Sequence, residues 1–178
     1  MIDPRDSKTT GYHLFLEPEG ALREELSALI RNLAGEYGGP VFAPHVTLLA
    51  RIPVEAEEKI IEKAQSLAKL LTPLTLTLGD LAAEERYYRA LYIKIKEVEE
   101  MEKCHAQANE TFSMQDEAAY LPHLSLLYGN YPQEKKEATM QVLQFPRGAS
   151  FSADRLHLYR TEGEVGQWYE VGQYALGA

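Results

Sequence analysis

The 178-residue chain is predicted to fold as one α+β domain of two pseudo-symmetric lobes enclosing a central groove. Three observations predict it. The phrase Pro44-His45-Val46-Thr47-Leu48-Leu49 recurs 78 residues later as Pro122-His123-Leu124-Ser125-Leu126-Leu127, with four of six positions identical. The two exchanges, Val for Leu and Thr for Ser, keep an apolar residue and a hydroxyl. The segments flanking each copy recur in the same order, strand–helix–strand–helix–strand. With 45% hydrophobic and 25% charged residues the composition is that of an ordinary globular protein, and the length supplies one shared core.

Each repeat opens on a strand, Tyr12–Leu16 in the first and Ala90–Ile95 in the second. A helix follows. Leu22, Leu26, Leu29, Ile30 and Leu33 recur at helical spacing over Gly20–Ala34, and Val98, Met101, His105, Ala108 and Phe112 do so over Glu97–Phe112. The motif strand comes next. A second helix is read over Val54–Leu71 behind Pro53, with Ile60, Ile61, Ala64, Leu67, Ala68 and Leu71 on one stripe. Its counterpart over Gln133–Phe145 follows Pro132 and aligns Ala138, Val142 and Phe145. The first repeat closes on the alternation Leu74–Leu78, the second on a strand over Phe151–Tyr159 with a further strand near Trp168–Leu176. Gly38-Gly39-Pro40 and Gly79-Asp80 mark loops, and 81–89 reads as an exposed loop between the lobes. Lobe one therefore spans about 10–80 and lobe two about 88–178 of a single domain, 1–178.

Eighteen basic against 27 acidic residues leave a formal net charge of −9. Duplex binding rests on many Lys/Arg–phosphate contacts, so long nucleic acid is a poor partner, whereas a small phosphorylated ligand in a local cleft is compatible. The polar start MIDPRDSKTT lacks the apolar core of a secretory signal, and no run approaches the roughly 18 apolar residues of a membrane span. A single cysteine, Cys104, fits a reducing compartment, and a cytoplasmic monomer is expected.

Side chains alternate along a strand, so His45 and Thr47 share one face, and His123 and Ser125 share the equivalent face. The opposite face, Val46, Leu48, Leu124 and Leu126, must meet the helices. A pseudo-two-fold brings the polar faces together as two imidazoles and two hydroxyls in one cleft. This set suits acid–base chemistry on a phosphodiester. Imidazole titrates near pH 6.5, so one ring can take a proton from water while the other gives one to the leaving oxygen. The hydroxyls donate to the non-bridging oxygens, where charge develops. A cyclic phosphate fits well because its leaving oxygen stays tethered. No third ligand stands at a zinc-like spacing, so neither metal nor cofactor is expected.

The paired His45-Val46-Thr47 and His123-Leu124-Ser125 resemble the duplicated H-x-T/S signature of the 2H phosphoesterases. The longer phrase from Pro122 to Tyr128-Gly129 resembles their cyclic phosphodiesterase-like branch. The resemblance covers nearly the whole chain in element order and rests on about a dozen residues. It implies a bilobal fold with a water-filled groove and metal-independent opening of cyclic phosphodiesters. Nucleoside 2′,3′-cyclic phosphates and ADP-ribose 1″,2″-cyclic phosphate are substrates of that branch. Carried over, His45 and His123 are the catalytic pair and Thr47 and Ser125 bind phosphate. Tyr128 matches a tyrosine near the phosphate, and can reach the cleft only if the strand ends or bulges before Gly129. Two alternatives are an RNA-end-processing relative acting on 2′–5′ or cyclic-ended oligonucleotides and a nucleotide-binding module without turnover.

Further candidates lie outside the motif. Tyr92 and Lys94 face the cleft if Leu91, Ile93 and Ile95 pack on helices, and Lys94 would then attract phosphate. Tyr87, Tyr88 and Trp168 are candidates to stack on a base. His105 on its apolar helix stripe and Cys104 beside it read as packing residues. His13 lacks a companion hydroxyl two positions on, and His157 can point to solvent or cleft. The glutamate pairs at 24–25, 57–58 and 99–100 read as solvated helix faces.

Overall fold

The structure, a computed structural model, describes residues 6–115 and 119–178; residues 1–5 of the polar start lie outside the described residues. The elements in chain order are β1 (Tyr12–Leu16), α1 (Gly20–Tyr37), β2 (Val46–Ile52), α2 (Glu57–Leu70) and β3 (Leu74–Ala82). A 3-10 turn at Tyr87–Arg89 leads to β4 (Leu91–Ile95), α3 (Val98–Phe112), β5 (His123–Leu127), α4 (Gln133–Val142), β6 (Ser150–Ala153) and β7 (Arg155–Arg160). A second 3-10 turn, Val165–Gln167, precedes β8 (Tyr169–Ala175). No helix among the described residues is long and apolar enough to cross a membrane.

The eight strands form an antiparallel sheet in the order β6-β3-β4-β5-β2-β1-β7-β8. The two motif strands, β5 and β2, are its centre. Val46 stands opposite Leu124, and both are fully buried. The repeats exchange their last strands: β3 of the first pairs with β4 of the second, and β7 of the second pairs with β1 of the first. Their helices cross over too. α1 packs on β5, and α3 packs on β2. Each motif strand is thus covered by the helix of the other repeat, and one core runs from Leu26, Ile30 and Leu33 through Val46, Leu48, Leu124 and Leu126 to Met101 and Ala108. The apolar faces of the motif strands meet the helices, as alternation requires.

Four expectations need correction. The segment Phe151–Tyr159 is two strands broken at Asp154, because β6 pairs with β3 at one end of the sheet while β7 pairs with β1 near the other. Gly79-Asp80 is not a loop. β3 runs through it, with a register shift between Leu78 and Leu81, and a Cβ at Gly79 would lie 2.9 Å from the Lys94 carbonyl. The glycine marks a close strand approach. The stretch 81–89 is not an exposed loop either. Leu81 and Ala82 belong to β3, and Tyr87–Arg89 form a half-buried turn. Lastly, α4 stops at Val142, and its expected apolar stripe is broken: Ala138 and Val142 are exposed, Val142 by 73%, Phe145 packs against the core only beyond the helix end, and the helix buries only Lys136.

The central pair carries the seam between the repeats. Leu124→Ala removes a fully buried side chain from a close-packed site, so it should destabilise the fold by about 2–5 kcal/mol. The urea midpoint of the variant measures it; a loss under about 0.5 kcal/mol would contradict the seam.

Candidate functional site

Continuing the register from Val46 and Leu124 sets His45 across from Ser125 and Thr47 across from His123. The four polar motif residues thus share the sheet face turned away from the helices. Neighbouring strands extend that face. Phe15 pairs with Thr47, Tyr92 with Ser125, and Lys94 with His123.

Both histidines are held in the same way. His45 Nδ1 donates to the carbonyl of Ala43 at 2.7 Å, and His123 Nδ1 donates to the carbonyl of Leu121 at 2.7 Å. A carbonyl only accepts, so the proton of each neutral ring is assigned to Nδ1 and the lone pair of Nε2 is left for the cleft. The repeated proline sits between each histidine and its carbonyl acceptor, and its fixed φ helps hold the chain extended there. Phe15 stacks on His45 with centroids 3.9 Å apart, and Tyr92 meets His123 edge-on at 5.2 Å. These contacts fix the ring orientations.

Tyr128 enters the cleft because β5 ends at Leu127, after which Gly129 takes φ 142 and donates its N–H to the Tyr87 carbonyl at 2.9 Å. The Tyr128 ring stacks on Phe42 at 3.7 Å, and its hydroxyl lies 3.3 Å from His45 Nε2. Ser125 Oγ donates to the Tyr88 carbonyl at 2.8 Å, so the half-buried turn at 87–89 forms one wall of the cleft. Tyr87 reaches Tyr128 through a tilted contact at 6.4 Å. Trp168, carried by the chain between β7 and β8, closes on Tyr88 at 5.9 Å and on Tyr128 at 6.4 Å. Thr47 is partly exposed on this face, and its own carbonyl accepts from Tyr120 at 2.8 Å. Lys94 is exposed beside His123.

The electrostatics differ from those of imidazole in water. Burial depresses the pKa of His123 to about 4, aided by Arg89 and opposed by the Leu121 hydrogen bond and Glu84. Burial likewise lowers His45, while its bond to Ala43 and the charge of Glu17 push back. Burial also holds the Tyr128 phenol well above its ordinary value, so it is a hydroxyl donor at neutral pH. Burial therefore favours the neutral form of both motif histidines in the empty cleft. Among the described residues no group of three or more His, Cys, Asp and Glu side chains is placed to hold a metal ion.

His105 packs as its stripe implies, donating from Nδ1 to the Leu48 carbonyl and stacking on Tyr120. His157 meets Glu170 at 3.1 Å. Of the glutamate pairs, Glu57 does more than solvate its helix, since it accepts from the Tyr12 hydroxyl at 2.9 Å. Two groups were invisible in the sequence. His13 bonds the hydroxyl of Thr161, just past the end of β7 and 148 residues away, and stacks near Trp168. Glu17 is a buried carboxylate paired with Arg23. Both lie outside the duplicated phrase, in or just after the opening strand of the first repeat, and only the exchanged strand β7 brings their surroundings together.

Comparison with known proteins gives the family and the fold. A profile of the 2′-5′ RNA ligase superfamily matches residues 14–164. The chain is 26% identical over 159 residues to a cyclic phosphodiesterase of Arabidopsis thaliana, with 86% of each protein covered. It is 26% identical over an alignment of 198 residues to a 2′,3′-cyclic-nucleotide 3′-phosphodiesterase of Phaeosphaeria nodorum, covering 93% of this chain and 99% of that one. Its fold matches that of E. coli LigT, crystallised with 3′-AMP, at a TM-score of 0.65 and 17% identity over 96% of this chain and all of that one. The crystal structure of a phosphoesterase matches at a TM-score of 0.67 and 16% identity over 97% of this chain and 100% of that one.

The depressed histidines bear on stability. A group whose folded pKa lies below its unfolded value binds protons more readily when unfolded, so stability is lost as pH falls from about 6.5 towards the folded value. His13, lowered by burial to about 3, and His123, at about 4, both act in that window. NMR titration should find both rings neutral at pH 5.5, and the urea midpoint should drop steadily between pH 6.5 and 4. Ordinary titration near 6.5 would contradict the burial of these rings.

Proposed function

The chain belongs to the 2′-5′ RNA ligase superfamily, the 2H phosphoesterases, and on that footing we propose that it opens a cyclic phosphodiester by attack of water, with His45 and His123 as general acid and base. One observation carries the reading: two histidines from paired strands, each with Nδ1 tied to a backbone carbonyl, turn Nε2 to the same sheet face as a threonine and a serine. The substrate is a nucleoside 2′,3′-cyclic phosphate or a cyclic phosphate of the ADP-ribose 1″,2″ type. The Arabidopsis and Phaeosphaeria relatives carry cyclic-phosphate names, which supports this class. E. coli LigT structures with 3′-AMP, ATP and NADP+ support a small nucleotide ligand.

The proton balance closes on the two rings. The neutral ring takes a proton from water through Nε2 as the water oxygen bonds to phosphorus. The P–O bond to one ribose oxygen breaks, and that oxygen takes the proton from Nε2 of the other, protonated ring. The product is a phosphate monoester, and the rings have exchanged protonation states; proton exchange with solvent resets them. The bound anion supplies the condition the empty cleft lacks. A phosphate next to either ring favours its charged form, which opposes the burial that holds both rings neutral. Thr47 and Ser125 donate to the non-bridging oxygens, Ser125 by turning from the Tyr88 carbonyl. Tyr128 donates its hydroxyl beside His45. Trp168 and Tyr87 wall the site, and Lys94 adds positive charge at its edge.

Turnover should survive EDTA, since the two-histidine route needs no metal. His45→Ala and His123→Ala should each lower kcat about 10²–10⁴-fold on 2′,3′-cyclic nucleotides. The pH profile of kcat/KM reports the free enzyme, whose histidines lie below pH 6.5. It should be a bell with its optimum on the acid side of 6.5, while the alkaline limb of kcat shifts upward because bound phosphate raises the acid's pKa. The limbs belong to the pair rather than to either ring. Full activity of either alanine variant, or a rate that collapses with chelator, would overturn the mechanism.

A further inference from the structure

Beside His45 the cleft continues into a recess of about 230 Å³. This is below the roughly 300 Å³ at which drug-sized pockets begin, so it suits one ring system rather than a whole nucleotide. Phe15, Phe42, Tyr159 and Trp168 contribute aromatic walls, and Phe15 is the ring already stacked on His45. Glu17 lines the same recess at 5% exposure. Its Oε2 pairs with Arg23 and the Tyr159 phenol stands beside the carboxylate, but no donor among the described residues lies within hydrogen-bond distance of its buried Oε1. Trp168 Nε1 is buried and likewise without an acceptor among them. A desolvated carboxylate oxygen left unpaired is costly, and the proton-transfer mechanism makes no use of it.

We propose that this recess is a nucleobase subsite in which Glu17 Oε1 selects a base bearing an exocyclic amine, cytosine or adenine, over its carbonyl counterpart. The inference rests on the ring-opening reading for the position of the phosphate. The aromatic walls stack on either kind of base and so set affinity without choosing. The choice comes from charge. An amine donates to Oε1, whereas a carbonyl oxygen in the same place meets a negative oxygen whose partner Oε2 is held by Arg23 and cannot turn away. Trp168 Nε1–H supplies a donor for the ring nitrogen acceptor that accompanies the amine in both bases.

Cytidine and uridine 2′,3′-cyclic phosphates differ at this edge and little elsewhere, so their ratio of kcat/KM reads the subsite. The wild-type ratio should favour cytidine by about 10–100-fold, the range of a hydrogen bond to a charged group. In Glu17→Gln the amide oxygen faces Arg23 and the NH₂ turns into the recess, so the ratio should fall below one. Loss of a merely structural ion pair would slow both substrates alike and leave the ratio unchanged. Trp168 is the sole tryptophan, and its fluorescence follows binding of 3′-CMP and 3′-UMP independently of catalysis. A cytidine preference that Glu17→Gln reverses, in turnover or in binding, supports the subsite. Equal handling of the two bases, an unchanged ratio in the variant, or no binding of either nucleotide overturns it. Glu17-dependent binding without turnover of any cyclic nucleotide would sustain the subsite and overturn the ring-opening reading instead.

Discussion

The pairing of Val46 with Leu124 is the contact on which the rest of the molecule depends. It joins two strands that carry the same phrase, in antiparallel register, at the middle of an eight-stranded sheet. An apolar pair on one face of a strand pair forces the flanking residues to the other face. A slip of one residue would send both histidines toward the helices and Val46 and Leu124 toward the cleft. The hydrophobic register of the core therefore also sets the geometry of the site. The exchange of helices and strands reinforces it, since each motif strand is clamped by a helix from the other repeat. Neither repeat can assemble its half of the cleft alone.

The cleft's histidines are shielded and oriented before any ligand arrives. Each histidine spends one nitrogen on a nearby backbone carbonyl, which removes the choice of tautomer and holds the ring. Aromatic faces then shield it: Phe15 on His45 and Tyr92 on His123. The cost is that neither imidazole carries a proton readily in the empty site. In the proposed reaction an anionic phosphate opposes that preference, so the ester itself completes the acid that would cleave it. Selectivity for anions and readiness for proton transfer thus come from the same burial.

The motif, its face and the element order were legible in the sequence because they repeat, and a repeat in an alternating strand carries its own register. The end of β5 before Tyr128 was legible too, from Gly129. What was not legible depends on non-local pairing. Asp154 separates two strands that go to distant parts of the sheet, yet the run Phe151–Tyr159 alternates like one strand. Glu17 and His13 sit outside the duplicated phrase and acquire their neighbours, Tyr159 and Thr161, only through the exchange of β7. The segment 81–89 has the composition of a surface loop, and nothing local shows that Ser125 and Gly129 will bond its carbonyls.

That segment also accounts for the oddest residue of the fold. α4 buries almost nothing apolar, yet it buries Lys136 fully. A lysine removed from water is unfavourable unless its ammonium is satisfied. Here Nζ donates to the Glu84 carbonyl; burial lowers its pKa, and the charges of Glu85, Glu137 and Glu84 around it push back. Glu84 in turn accepts from the Tyr92 hydroxyl and from Arg89. Lys136 is therefore the peg of a polar network that holds the 81–89 turn against the sheet. Ser125 and Gly129 then find their acceptors on Tyr88 and Tyr87 at fixed positions. In the first repeat the matching helix, α2, does conventional packing with Ile60, Ala64, Leu67 and Ala68. The pseudo-symmetry breaks at α4 because this helix supports a wall of the cleft instead of closing a core, and a long cationic side chain can span that gap and tie down backbone in a way an apolar one cannot.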